Sequence, residues 1–470
     1  MKLIYGIDAK PKQMGYLNTI VFAIQQLLAI MAATLVVPVI INSGAAQNPQ
    51  MSSAAALFGA GVGTLVYLFF TKRKSPVFLG SSFAFLGSMA AAFAGASTIA
   101  LGYLGLALGA IMGGLVYVII ALTVKIFGVE WINRLMPTVV VGPTVMLIGL
   151  SLAGNAVGDM QTGGTATANP YVALVCALVT LAVTVLCSTY GSKGIRLIPF
   201  VIGVLAGYAV ASAFTVVGHL ANIPELLVVD FSKISVLWAD GVSLKTFLDI
   251  DPKKFTFINA LGGFKDLDFA YVLTIFAAYV PVAFVVFAEH IADHKNLSSI
   301  IDQDLLKEPG LSRTLLGDGV GSMAGAIFGG CPNTTYGESV GCVAISGNAS
   351  TWTIIYTAVG AIIISFFAPF VAFVNSIPSC IMGGICTALY GFIAVSGLKM
   401  LQKVDLGVNR NLFTVSVILI TGIGGLTLTF GKVTITAIAC ALILGILTNT
   451  MLSRSVEEPA EEPSESKSKR

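Results

Sequence analysis

A chain of 470 residues that is 56% hydrophobic and only 10% charged is no soluble domain, because soluble domains carry about 25% charged residues. Its net charge of +3 says little by itself. Apolar runs of about 20 residues recur from end to end, and each is long enough to span a bilayer as a helix. The runs are continuous rather than alternating, which favours helices over a barrel.

Fourteen membrane segments are predicted in chain order. They start near Met14, Ser53, Val77, Ile99, Met136, Tyr171, Ile195, Phe269, Thr314, Pro332, Thr351, Ile377, Leu412 and Val433. No cleavable signal peptide is evident, since the basic start leads into a run too long for one, from Met14 to Ile41. Basic residues cluster in alternate loops: Lys2, Lys10 and Lys12; Lys72, Arg73 and Lys74; Lys125 and Arg134; Lys193 and Arg196; Lys295, Lys307 and Arg313; Lys399, Lys403 and Arg410; then Arg454. This alternation predicts both termini in the cytoplasm of a multi-pass protein of the cell membrane. It also supports an even helix count.

The expected division is a cytoplasmic N-terminus over 1–13, seven helices over 14–218, an extracellular loop over 219–268, seven more helices over 269–452, and a disordered cytoplasmic tail over 453–470. The loop contains "ELLVVDFSKISVLW", which suits either short strands or an interfacial helix. The seven cysteines lie in or beside apolar runs with no CxxC spacing, and read as small buried hydrophobes.

Two stretches resemble each other. "PTVVVGPTVMLIGLSLAG" starts at Pro137 and "PSCIMGGICTALYGFIAVSG" at Pro378. Each has Pro first, Gly five residues on, and a helix rich in small residues behind. They open segments five and twelve. Seven helices is an odd number, so the second copy enters the membrane from the opposite side, as in an inverted-repeat transporter.

Segments three and ten hold corresponding places in the two halves, and both are broken. Segment three, "SPVFLGSSFAFLGS", has Pro76 and then Gly80-Ser81-Ser82. Segment ten contains "GGCPNTTYGESVG", with Pro332 and Gly337 around a wholly polar middle. Such a pair points to a midplane site, because irregular backbone survives at membrane depth only inside protein or beside a cavity. The freed N–H groups at a half-helix start can bind an acceptor on a ligand.

Ionisable groups inside the segments are the other clue. Glu289 and Asp293 in "AEHIADH" are four apart and share one helical face, while His290 and His294 share the neighbouring face. Asp318 lies in segment nine and Glu338 in segment ten. Asp293 and His294 also suit the solvated end of segment eight. His290 reads as a packing or hydrogen-bonding residue. A zinc site on the two histidines lacks further ligands.

Together, "PNTTYGESVG", "AEHIADH" and "GSSFAF" resemble the nucleobase–ascorbate transporter family, and within it the bacterial uracil permeases. The resemblance runs from about Tyr5 to Met451. The family signature falls on Glu338, Ser339, Gly341 and Ser346, with Ser339 standing for Asn and Ser346 for Thr. It implies an all-α polytopic membrane protein, with fourteen segments in two inverted repeats of seven. It also implies short strands in segments three and ten, and core and gate domains. Carried over by position, Glu289 and Glu338 hydrogen-bond the base, the backbone at Phe83 and Gly337 meets its carbonyl oxygens, and Tyr336 and Tyr390 line the pocket. Glu289, Asp293 and Asp318 are the proton-coupling candidates. Asp293 departs from the histidine of a well-studied permease, and the close Glu289–Asp293 pair is expected to share the coupled proton.

The expected function is proton-coupled uracil import by alternating access, driven by the proton gradient with no cofactor. A purine symporter of the same family is the alternative, and an anion transporter on the same architecture is more remote. The anion reading wants a basic residue near the breaks, and segments three and ten have none within the membrane. No nucleophile–base pair or metal set suggests an enzyme. The expected partners are a nucleobase, the lipid bilayer and a second copy of the chain, with no nucleic acid.

Overall fold

The structure, a computed structural model, describes residues 3–128, 131, 136–239, 241–402, 404–430 and 433–453. The expectations for Lys2, Arg134, Lys403, Arg454 and the tail beyond 453 lie outside the described residues. The predicted segments one, two, four, five, six, seven, eight and twelve form helices long and apolar enough to cross a membrane: Tyr16–Gly44, Ser53–Phe70, Ile99–Phe127, Thr138–Met160, Pro170–Tyr190, Pro199–Ala221, Phe269–Ile301 and Ser379–Leu401. The other six are shorter or less apolar. Segment nine is Leu311–Gly329, segment thirteen Asn409–Ile423 and segment fourteen Ala437–Leu452.

Segments three and ten open as strands, as the resemblance implies. Strand β1 (Leu79–Ser81) leads into the helical stretch Phe83–Ala94, and β2 (Asn333–Thr335) leads into the helix Gly337–Ser346. Three places depart from the sequence reading. Segment eleven is not one helix: it runs as Thr351–Ile364, turns, and resumes as Ala368–Ser376. Pro369 suits the restart, because it lacks the N–H that one continuous helix would need there and sits in the first turn of the second piece, where that N–H would have no partner. Val433 does not open segment fourteen but lies in a hairpin of β3 (Leu428–Phe430) and β4 (Val433–Ile435). The helix starts only at Ala437, behind a Thr436 hydroxyl that accepts from the Ala439 N–H. The loop after segment seven is neither strand nor one interfacial helix but a succession of short helical turns.

The inverted repeat is written in the packing. Segment two meets segment nine along a seam of glycines whose numbers run in opposite directions. A Cβ on Gly63 would lie 2.7 Å from the Gly321 carbonyl oxygen, and one on Gly317 would lie 3.1 Å from that of Tyr67. Segment five meets segment twelve likewise: Gly142 faces Gly397, and Gly383 faces Ala156. Equivalent segments therefore run antiparallel at contact, as an inverted repeat requires. Lipid offers no hydrophobic drive between helices, so close approach over small residues supplies the attraction.

Contacts divide the helices into two groups. Segments two, four, nine and eleven pack together with one and eight against them, and segments three and ten sit within this core. Segments five, six, seven, twelve, thirteen and fourteen form the gate. The long loop is fastened to both. On the gate side, Gly164 N–H donates to Val228 O at 2.7 Å and Asn169 N–H to Glu225 O at 2.8 Å. On the core side, Asp249 N–H donates to Phe366 O at 2.8 Å, and Lys254 Nζ donates to Ser365 O at 3.2 Å while lying over the Phe366 ring at 4.0 Å.

The glycine seam generates a prediction. Gly321→Val puts a branched side chain against the backbone of segment two and should cost about 1–3 kcal/mol through overpacking. It is read as a lowered unfolding temperature in detergent. Gly391→Ala meets no neighbour within 4 Å and should lower nothing.

Candidate functional site

The site begins as a backbone problem. Strands β1 and β2 interrupt two membrane helices, and their N–H and C=O groups need partners inside the protein. They find each other: Leu79 pairs with Thr335, Gly80 with Thr334 and Ser81 with Asn333, antiparallel. Ser82 N–H donates to Pro332 O at 2.8 Å, and Tyr336 N–H to Phe78 O at 3.3 Å. Side chains serve the outward groups. Thr64 Oγ1 accepts from Leu79 N–H at 2.9 Å, and Ser322 Oγ accepts from Asn333 N–H at 2.9 Å. The Tyr336 hydroxyl donates to Ser81 O at 2.8 Å with its ring laid against Gly80, where any Cβ would run into the ring.

Ser339, one of the two departures from the family signature, is a junction. Its buried Oγ accepts from Gln26 Nε2 of segment one at 2.5 Å and from the Phe78 N–H of segment three at 3.0 Å. One hydroxyl thus ties segments one, three and ten together.

This crossing faces a cavity of about 350 Å³ between core and gate. The core contributes Phe83, Ala84, Glu289, Asp293, Thr335, Tyr336, Gly337 and Glu338, while the gate contributes apolar residues including Val145, Phe200, Phe392 and Met400. The helices that begin beside Phe83 and at Gly337 both start at its wall, and a helix start carries N–H groups without intrahelical acceptors. A Cβ on Gly337 would meet only Asp293 Oδ1, at 3.9 Å. The Thr335 hydroxyl donates to Asp293 Oδ2 at 2.8 Å and fixes that carboxylate. Among the described residues, no Lys or Arg lines the cavity. A second hollow of about 610 Å³ shares Ala292, Asp293, Ser396 and Met400 with it, and its own walls include Lys295 and Lys399.

Six of the expected site residues therefore meet at one cavity: Phe83, Glu289, Asp293, Tyr336, Gly337 and Glu338. Two do not. Tyr390 is buried on segment twelve behind Phe83, whose ring it meets edge-on at 6.0 Å. Asp318 lies on the far side of segment eight, 1% exposed, with Oδ2 at 2.6 Å from His290 Nδ1.

Segment eight separates two polar faces. Glu289 and Asp293 look into the cavity. His290 and His294 are buried in the core, stacked at 4.0 Å, with His294 Nε2 at 2.7 Å from the Tyr67 hydroxyl. His294 is thus no solvated helix end. Its partner Tyr67 carries no chemical signal in the sequence, and neither does Gln26, whereas Ser75 and Thr335 lie inside the two broken stretches.

The chain belongs to the permease family, whose model matches residues 17–431. It is 36% identical over 472 residues to a uracil permease of Bacillus subtilis (strain 168), covering 98% of each chain. It is 38% identical over 437 residues to one of Bacillus caldolyticus, covering 92% of this chain and 91% of that one. It is 34% identical to one of Escherichia coli (strain K12), covering 94% and 92%. These are permeases rather than enzymes. Among solved structures, the transmembrane domain of the cyanobacterial bicarbonate transporter BicA superposes with a TM-score of 0.58 at 14% identity, covering 96% of this chain and 99% of that one. SLC26A9 gives 0.61 at 10% identity, covering 95% and 66%. At such identities the likeness is one of fold, and that fold is the inverted-repeat transporter.

Ser339→Ala tests the junction. It strands a buried Gln26 amide and the Phe78 N–H, at about 1–3 kcal/mol, and should lower the unfolding temperature although the site loses only one oxygen.

Proposed function

We propose that this permease imports uracil together with protons, by alternating access across the cell membrane. The observation that carries the reading is three carboxylates, Glu289, Asp293 and Glu338, around one cavity that also receives two helix starts and no basic side chain. Uracil is planar and neutral, with two N–H donors and two carbonyl acceptors. Carboxylates accept from the N–H groups, helix-start N–H groups donate to the carbonyls, and aromatic rings such as Phe83 and Tyr336 cover the ring. The names of the relatives agree with this substrate. Carboxylates without a basic partner oppose an anion, which argues against the cargo named for the bicarbonate transporter despite the shared fold.

Proton coupling follows from the same arrangement. Glu289 and Asp293 stand one turn apart on the cavity face of segment eight. Two carboxylates so placed in a poorly solvated site share a proton rather than both ionise. Asp293 also borders the second hollow, whose walls include Lys295 and Lys399. In this reading the basic loops face the cytoplasm, and Asp293, which borders both hollows, is where the proton leaves. On the same reading both termini are cytoplasmic, the loop over 219–268 is extracellular, two copies of the chain form a homodimer in the bilayer, and the energy source is the proton gradient with no cofactor.

Glu338→Gln replaces a charge-assisted hydrogen bond of about 1.5–3 kcal/mol, so uracil affinity should fall about tenfold to hundredfold. Binding to the purified protein checks it, and unchanged binding moves the site away from segment ten. Asp293→Asn mimics a permanently protonated partner. It should bind and exchange uracil across proteoliposomes yet lose accumulation driven by a pH gradient. Full accumulation with an unaltered pH profile would return Asp293 to a passive helix end.

A further inference from the structure

The far face of segment eight holds a second polar cluster that does not line the cavity. His290 and His294 are 0% exposed and Asp318 is 1% exposed. Hydrogen-bond directions within it follow from which atoms can only accept. His294 Nδ1 lies 2.8 Å from the His290 carbonyl oxygen, so Nδ1 carries the hydrogen. His294 Nε2 is then the acceptor for the hydrogen-bonded Tyr67–Ser75 hydroxyl pair, in which Tyr67 donates to Ser75; the two oxygens lie 2.7 Å and 3.3 Å from the ring nitrogen. His294 is a neutral ring in one tautomer.

His290 is different. Its Nε2 lies 3.0 Å from Thr314 Oγ1, and the Thr314 hydroxyl donates to Leu311 O at 3.0 Å. Thr314 has one hydrogen, and with that hydrogen on Leu311 O it is His290 Nε2 that donates. That leaves Nδ1 facing Asp318 Oδ2 at 2.6 Å. Two lone pairs do not sit that close, so a hydrogen lies between them. A neutral histidine and an ionised aspartate supply only one ring hydrogen, and Nε2 already has it. The pair therefore holds one more. The competing arrangement turns the Thr314 hydrogen toward Nε2 and leaves Asp318 ionised. Asp318 Oδ1 has no hydrogen-bond partner among the described residues. No Lys or Arg among them pairs with it. A buried carboxylate with a bare oxygen is costly, whereas the bare carbonyl of a carboxylic acid is tolerable.

We propose that Asp318 and His290 form a proton-binding site separate from the cavity, and that the core domain keeps this proton while the cavity carboxylates exchange theirs. Every side of the site is closed. His294 stacks on His290 at 4.0 Å, the Tyr117 ring of segment four meets it edge-on at 6.3 Å, and Thr314 and Asp318 cover it from segment nine. The carboxylates that feel the charge of Asp318 are Glu289 and Asp293 on segment eight, both at the cavity. Neither His290 nor Asp318 lines that cavity or the hollow beside it. A proton so enclosed travels with the core and is not counted in the transport stoichiometry. The inference stands apart from the uracil reading, because its test uses no substrate.

The chain has three histidines, and the third, His219, is exposed, so histidine labelled with ¹⁵N gives a resolved spectrum in lipid bilayers. His294 should appear as the neutral Nδ1–H tautomer. His290 should show a protonated Nε2 and a strongly deshielded proton between Nδ1 and Asp318. Whether this proton sits on the ring or on the acid, the count is the same, and infrared spectra of labelled aspartate tell which. Both His290 signals should stay fixed across the range in which exposed carboxylates and histidines titrate, while His219 moves. Asp318→Asn should remove the deshielded proton and leave His294 unchanged. A neutral Nδ1–H tautomer at His290 in the unaltered protein overturns the proposal. So does a His290 signal that titrates with the cavity.

Discussion

Lipid does not solvate a peptide group. That constraint governs the whole molecule, because segments three and ten leave the helix in the middle of the membrane. Each then exposes N–H and C=O groups that water cannot reach, at several kcal/mol apiece if left bare. The remedy is the antiparallel pairing of Leu79–Ser81 with Asn333–Thr335, supplemented by Thr64, Ser322 and the Tyr336 hydroxyl. The glycine seam between segments two and nine holds Thr64 and Ser322 close enough to accept from the strands. Once the strands are paired, the two short helices behind them start at one place, and their free N–H groups converge on the cavity wall. The site is a by-product of solving the backbone problem twice, once in each repeat.

Segment eight distributes charge around that site. It is a single helix, yet consecutive residues serve different surroundings. Glu289 and Asp293 look toward the gate, while His290 and His294 look into the core. Among the described residues, the charged side chains at the cavity are therefore all acidic. The solved transporters of bicarbonate and the SLC26A9 type share the fold at 10–14% identity, so architecture alone does not choose a cargo. What distinguishes this chain is which charges the architecture presents.

Much of this is legible before folding. Hydropathy marks the segments, and Pro76, Gly80, Pro332 and Gly337 mark the breaks. Spacing of four puts Glu289 and Asp293 on one face. Hydropathy fails where polar groups are buried in pairs. His294, followed by Lys295, has the sequence appearance of a helix end entering water, and only the approach of Tyr67 from 227 positions away shows otherwise. Gln26 and Ser339 meet across 313 positions, and no local pattern announces such a bond. Tyr390 and Asp318 fall just outside the cavity for the same reason. Spacing says which face a residue occupies, but not what neighbour stands in front of it. The hairpin ahead of segment fourteen escaped because its apolar strands continue the hydropathy of the helix that follows.

The pairing of the two broken segments also sets a schedule. Ribosomes add roughly 5–20 residues each second, and β2 follows β1 by about 250 residues. The first strand thus waits on the order of 10–50 s in the nascent chain for its partner to be made. Throughout that interval segment three lacks the strand that completes its hydrogen bonds. The first half of this protein therefore enters the membrane as a draft, and the arrival of the tenth segment finishes it.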